Sequence, residues 1–292
     1  MAVHEEAVVF HCARQELLGI LHWPEGHVRT LGIVIVVGGP QYRVGSHRQF
    51  VLMARLLAQA GYPVFRFDYR GMGDSAGEPR SFEAVGEDIR AAIDTLDSMS
   101  PGLSGICVWG LCDAASAALL YCRSDPRVKA LVLANPWVRT VAGEAQAYLK
   151  HYYLRRLLQR SFWRNVLAGG FHPLRSLRDL TGKLLAARRT SAAVPAESYV
   201  TRMRNGLESF PGAVLLLISE RDLTARAFTD LCASDARWHA AVASPRVTTV
   251  PLEGADHTFS GSAALLAATQ TCVSWLTRQE PVASASGSSS AA

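Results

Sequence analysis

Residues 30–39, TLGIVIVVGG, form an unbroken apolar run, rich in β-branched residues and closed by two glycines. A strand without polar alternation must be covered on both faces, which confines the chain to a sheet sandwiched between helices. The pattern that follows obeys this constraint. Helix-period segments at 48–61, 82–99 and 113–124 alternate with the apolar runs YPVFRFDY, LSGICVWG and VKALVLANP. Regular βα alternation of this kind predicts an open, mostly parallel, doubly wound sheet. Ahead of it, AVVFHC and LLGILHW flank ARQE and predict an antiparallel hairpin. Ser46 in SHRQF is the expected N-cap of the first helix.

The alternation stops at Pro136 and resumes with GAVLLLISE, then VTTVPLEG and a last helix in AALLAATQTCVSWLTRQ. The expected organisation is therefore a core of residues 1–136 and 209–280, an inserted helical cap at 137–208, and a disordered Ser/Ala-rich tail at 281–292. Charge supports the division. The insertion carries 11 Arg and 2 Lys against 4 acidic residues, a net of +9, while the rest, with 17 basic and 21 acidic residues, nets −4. Within the insertion Leu149, Tyr152, Tyr153, Leu157 and Phe162 recur at helical intervals, and Arg156, Arg160 and Arg164 share a face. Such a face suits an anionic membrane surface or an acidic glycan, or is simply solvated. Nucleic acid is not expected, because no recognition motif is present and the core is net negative.

At 292 residues, 49% apolar and 19% charged, the chain has the material of a globular enzyme. Its six cysteines show neither CxxC pairing nor zinc-ligand spacing, so neither a disulfide framework nor a metal site is expected, and no cofactor is implied. The N-terminal residues lack a basic start followed by an apolar run, and no stretch reaches the ~18 to 20 apolar residues needed to span a bilayer. The expectation is a cytoplasmic protein, with the cap allowing peripheral contact with the inner membrane.

In open α/β sheets the chemistry gathers at the carboxyl ends of the strands. Gly110-Leu111-Cys112-Asp113-Ala114 matches the nucleophile elbow G-x-S-x-G, with Cys in place of Ser and Ala in place of the last Gly. There a thiol sits at a helix N-terminus, which favours thiolate, although Asp113 opposes that effect. Asp222, just beyond LLLIS, is the expected acid, with Glu220 as competitor, and His257 in EGADHTF is the expected base. The order Cys112, Asp222, His257 is nucleophile, acid, base, and the 35 residues from acid to base fit one helix and one strand. The N–H of Asp113 and that of Gln41, in the loop after the first parallel strand, are the oxyanion-hole candidates, since Pro40 has no N–H. Arg43, His47 and Arg48 are candidates to line the mouth of the site. FDYRGMGDSAGE supplies the D-x-R-G-x-G-x-S pattern of a structural loop.

The runs GGPQYRVGSHRQF, FDYRGMGDSAGE, WGLCDAASA and GADHTF resemble the α/β-hydrolases associated with the exosortase A system, first type, over roughly residues 5–135 and 210–278. The resemblance implies an α/β-hydrolase fold and a setting beside bacterial exosortase and exopolysaccharide genes. A Cys, Asp, His set on this fold also resembles dienelactone hydrolases, which carry Gly where this chain has Ala114. The expected activity is hydrolysis of an ester or thioester through an acyl-enzyme, on a small-molecule or carrier-linked acyl substrate. The alternatives are acyl transfer to a polysaccharide or lipid-linked sugar, and a non-catalytic binding protein that kept the fold.

Overall fold

The computed structural model of the chain describes residues 3–39, 41–138 and 197–280. Strands β1 (His4–Cys12), β2 (Gln15–Trp23), β3 (Leu31–Val36), β4 (Val64–Phe67), β5 (Gly105–Leu111), β6 (Val128–Ala134), β7 (Ala213–Ser219) and β8 (Val247–Leu252) make one eight-stranded sheet in the order β1-β2-β4-β3-β5-β6-β7-β8. The β1–β2 and β2–β4 pairs are antiparallel and every other pair is parallel. Strand order reverses between β3 and β5, so the loop after β3 and the turn after β5 meet at the switch point where such sheets bind ligands.

The β3 run is buried at every residue, and β5 likewise, as their continuous apolarity requires. Side chains alternate between two layers. Ile33, Ile35, Cys107 and Trp109 meet Phe50, Met53 and Leu57 of α1 (Gln49–Gln59) and Cys272, Trp275 and Leu276 of α7 (Ser262–Gln279). Gly32 points the other way, where a Cβ would stand 3.0 Å from Leu96 of α2 (Gly86–Met99), which packs beside α3 (Asp113–Tyr121). Helices α4 (Tyr199–Ser209), α5 (Leu223–Ser234) and α6 (Ala236–Val242) complete the described elements. The arrangement is an α/β-hydrolase fold.

Local details differ from the expectations. The hairpin ladder runs on to Cys12↔Gln15, leaving a two-residue turn at Ala13 and Arg14, both with positive φ, so Gln15 and Glu16 are strand rather than loop. Ser46 does not cap α1: the chain turns at Gly45 (φ 83°) and again at Arg48 (φ 64°), the helix begins at Gln49, and no side chain caps it. Between acid and base there are two helices, because Asp235 accepts the N–H groups of Arg237 and Trp238 and starts α6 directly after α5.

The chain divides into two compact units, Met1–Val138 with Arg202–Ala292, and Arg139–Thr201. Residues of α4 from Arg202 onward thus belong to the larger unit. The cap residues Leu149, Tyr152, Tyr153, Arg156, Leu157, Arg160, Phe162 and Arg164 lie outside the described residues, as does the 281–292 tail. Among the described residues no helix is long and apolar enough to cross a membrane.

The FDYRGMGDSAGE loop is built by buried polar contacts. Arg70 holds Asp88 through two nitrogens, Nε at 2.9 Å from Oδ1 and Nη2 at 2.9 Å from Oδ2. Ser75 Oγ accepts the Leu18 N–H and donates to the Asp68 carbonyl. At Gly73 (φ 53°) a Cβ would fall 2.2 Å from Asp68 Oδ2, so glycine is required there for space as well as for conformation.

Candidate active site

The carboxyl end of β5 delivers Cys112 at φ 62°, ψ −123°, a backbone conformation costing about 1–3 kcal/mol unless its surroundings impose it. They do so on three sides. The Cys112 N–H donates to the Ala134 carbonyl at 2.9 Å, and the Cys112 carbonyl accepts from Ala115, Ser116 and Trp137 at 3.1 to 3.2 Å. A Cβ on Gly110 would lie 2.6 Å from the backbone of Ala114, so the sharp turn excludes any larger residue at 110. Cys112 is half-buried and the other five cysteines are buried. Burial pushes Cys122, Cys232 and Cys272 up to about 12.

Past β7, Asp222 caps α5, its Oδ1 accepting from Thr224 N–H at 3.0 Å and its Oδ2 from Ala225 N–H at 3.1 Å. Oδ2 also lies 2.8 Å from His257 Nδ1. Burial raises the Asp222 carboxyl, but the hydrogen bonds from His257 and Thr224 outweigh it and hold the group below the usual carboxylate range. His257 is raised to about 10, first by Asp222 and then by Cys112, against the opposing effect of burial. Glu220, the competing acid, instead accepts the Gly254 N–H at 2.7 Å.

Cys112 and His257 line one cavity of ≈ 290 Å³ with Asp113, Gln41, the glycine pair 38–39, and the apolar side chains of Phe50, Phe82, Leu111 and Trp137. This is close to the lower end of small-molecule sites, about 300–1,000 Å³. Phe82 and Trp137 meet edge to face at 5.5 Å. Gln41 also accepts from Gln49 Nε2 at 3.4 Å through its side chain. The candidate mouth residues are not brought to this cavity. Arg43 is spent on Asp68 and on Asp74, 2.7 Å away, and His47 Nε2 lies 3.0 Å from the Thr258 carbonyl. Arg48 is the exposed residue at which α1 starts.

Three contributors were not visible in the sequence. Asn135, fully buried with φ 46°, donates through Nδ2 to the His257 carbonyl at 3.1 Å and to Ser219 Oγ at 2.9 Å, and accepts the Ser219 N–H at 2.8 Å. It ties the His257 loop to the ends of β6 and β7. Trp137 is pinned beside the nucleophile turn by its N–H to Cys112 and by Ser116 Oγ, which donates to its carbonyl at 2.7 Å. Phe82 arrives on the short 3-10 turn Phe82–Ala84 ahead of α2. The local signal available was Asn-Pro-Trp directly after a strand, which marks a turn but not its partners. Among the described residues no group of three His, Cys, Asp or Glu side chains is placed to hold a metal ion.

Residues 30–203 match the family model described as serine aminopeptidase, S33 (Hydrolase_4). The chain belongs to this family. The chain is 26% identical to the quorum-quenching protein AidA of Acinetobacter baumannii over 208 residues, 68% of this chain and 60% of AidA. It is 30% identical to human protein ABHD12B over 129 residues, 41% of this chain and 34% of that one. The match thus spans about a third of the length of ABHD12B. Among solved structures, the esterase Pf2001 of Pyrococcus furiosus superimposes with a TM-score of 0.65 at 16% identity, covering 96% of this chain and 94% of Pf2001. Est1E of Butyrivibrio proteoclasticus, solved with ferulic acid, gives 0.60 at 15% identity, covering 94% and 99%.

Proposed function

We propose that the hydrolase cleaves esters or thioesters through a Cys112 acyl-enzyme, with His257 moving the proton and Asp222 orienting the imidazole. The observation that carries this reading is the half-buried thiol, held at a strained elbow and facing the same cavity as a histidine whose Nδ1 lies 2.8 Å from a capped, buried aspartate. His257, raised to about 10 by Asp222 first, accepts the Cys112 proton as the sulfur attacks. The thiolate attacks the carbonyl carbon. The oxyanion is met by the Asp113 N–H, with Gln41 as the candidate second donor. His257 gives its proton to the departing alkoxide or thiolate, leaving an S-acyl Cys112. Having given up its proton, the neutral imidazole is then available to take one from the attacking water, and Cys112 leaves as the acyl product is released.

Among the described residues the cavity walls are aromatic and aliphatic and the ionisable members are Cys112, Asp113 and His257, which favours an uncharged acyl group. The resemblance of the elbow and glycine-loop motifs to exosortase-associated hydrolases would put this acyl chemistry beside exopolysaccharide assembly. The test is turnover of aryl thioesters and aryl esters by wild type and Cys112→Ala, with intact-mass detection of the acyl-enzyme. The reading expects a mass increment on Cys112 and its loss, together with turnover, in the variant. Undiminished turnover in Cys112→Ala would overturn it. A product that appears only when a sugar alcohol is supplied would assign the same acyl-enzyme to transfer.

A further inference from the structure

The residue after the nucleophile contributes more than a backbone N–H. The Asp113 carboxyl folds back across the switch point, where Oδ2 accepts the Gly39 N–H at 2.9 Å. Its other oxygen, Oδ1, is buried with no hydrogen-bond partner among the described residues. That oxygen lies where position 38 must have no side chain: a Cβ on Gly38 would stand 2.0 Å from Oδ1 and 2.9 Å from the Ala114 nitrogen. Gly39, at φ 63°, has the left-handed backbone that lets its N–H turn toward α3. A carboxylate is an expensive group to place here. It loses water, leaves one oxygen unpaired, and puts negative charge beside a thiolate. An apolar residue would avoid each cost but would leave the Gly39 N–H without its acceptor.

We propose that the Asp113 side chain is a positioning residue, which by accepting the Gly39 N–H clamps the glycine loop after β3 to the N-terminus of α3 and so fixes the loop half of the oxyanion site. The inference rests on the acyl-enzyme reading for its catalytic consequence, but the clamp itself does not. The ionisable groups near this carboxyl are His257 and Tyr69. Burial pushes Asp113 up against the pull of the Gly39 N–H first, then the backbone of Ala114 and Asp113, and last His257, while Tyr69 is raised by its own burial and then by Asp113. The N-terminus of α3 also favours negative charge at this position.

The test compares Asp113→Asn, which keeps an acceptor and removes the charge, with Asp113→Ala, which removes both. Amide hydrogen exchange at Gly38–Gly39 should speed up at least tenfold in Asp113→Ala and stay slow in Asp113→Asn, with exchange in β5 unchanged in both. Losing a buried hydrogen bond of this kind should lower kcat for an aryl thioester about tenfold in Asp113→Ala, with KM within about twofold. The pH profile of Cys112 alkylation should move to lower pH in Asp113→Asn, because a negative neighbour of the thiolate is gone. A purely structural role would move exchange across the whole core and leave that pH profile in place. Unchanged Gly39 exchange in Asp113→Ala overturns the clamp, and so does a rise in kcat, which would mean the carboxylate obstructs the site. If the wild-type protein shows neither acyl turnover nor a reactive Cys112, the nucleophile reading fails, and the exchange arm still decides the clamp.

Discussion

Asn135 ties His257, the proposed base, to the ends of β6 and β7. Its Nδ2 supplies the half-buried His257 carbonyl and the buried Ser219 Oγ, and its Oδ1 takes the buried Ser219 N–H. Asn135→Ala removes all three hydrogen bonds. The Ser219 hydroxyl can turn to another partner, but the Ser219 N–H stays buried and unpaired, at about 1–3 kcal/mol, and the half-buried His257 carbonyl loses a bond worth about 0.5–1.5 kcal/mol. Alanine at φ 46° adds about 1 kcal/mol, since asparagine tolerates the left-handed region better. The expected loss is about 2.5–5.5 kcal/mol, a large share of the roughly 5–15 kcal/mol that holds a domain together.

Asn135→Asp separates the two roles. It keeps the acceptor for the Ser219 N–H and lets the Ser219 hydroxyl donate in return, but it sets an oxygen against the His257 carbonyl. Urea denaturation should show a smaller loss than in Asn135→Ala, while the rate of Cys112 alkylation at neutral pH should fall in both variants as the His257 loop moves. Alkylation at the wild-type rate in a folded but destabilised Asn135→Asp would refute the link between this side chain and the base.

Removing the acid should act through His257. In Asp222→Asn the largest contribution raising the imidazole is lost, so its pKa should drop from about 10 toward 6.5, and the alkaline limit of acyl turnover should fall with it when rates are measured between pH 6 and 11. The same shift has a stability consequence. His257 is raised in the folded state, so its contribution is fully present below about 6.5 and is lost as pH rises through about 10. Melting temperature measured over that window should decline in wild type more than in His257→Asn. Gly110→Ala should lower stability by about 1–3 kcal/mol or more and abolish Cys112 reactivity, because its Cβ would stand 2.6 Å from the Ala114 backbone and β5 is paired on both sides; wild-type melting would contradict this.

The strands were legible because burial on both faces writes itself as unbroken apolar runs, as in β3 and β5. Cys112 and Asp222 were legible for the same reason, each lying just past such a run, whereas His257 follows the partly exposed edge strand β8 and was legible only from its chain order and its glycine-containing loop. Contacts between distant loops were not legible. Asn135 reaches the His257 carbonyl across 122 residues, and Asp113 reaches Gly39 across 74, and no local pattern encodes either. Arg43 illustrates the converse error. A cation beside the glycine loop suggests a substrate contact, but Asp68 and Asp74 arrive from the next loop and neutralise it. Ser46 fails as a cap because Gly45 and Arg48 bend the chain on either side of it, and side-chain chemistry alone does not report backbone turns.

The central claim is that Cys112 is a nucleophile activated by His257. It is tested most directly by the pH dependence of iodoacetamide alkylation, read peptide by peptide in wild type and in His257→Ala, since this needs no knowledge of the substrate. Five cysteines are buried and one is accessible, so selectivity for Cys112 is itself informative. The account predicts rapid, selective alkylation of Cys112 at neutral pH that collapses in His257→Ala. A Cys112 that reacts like a free thiol, with the same pH profile whether or not His257 is present, would contradict it.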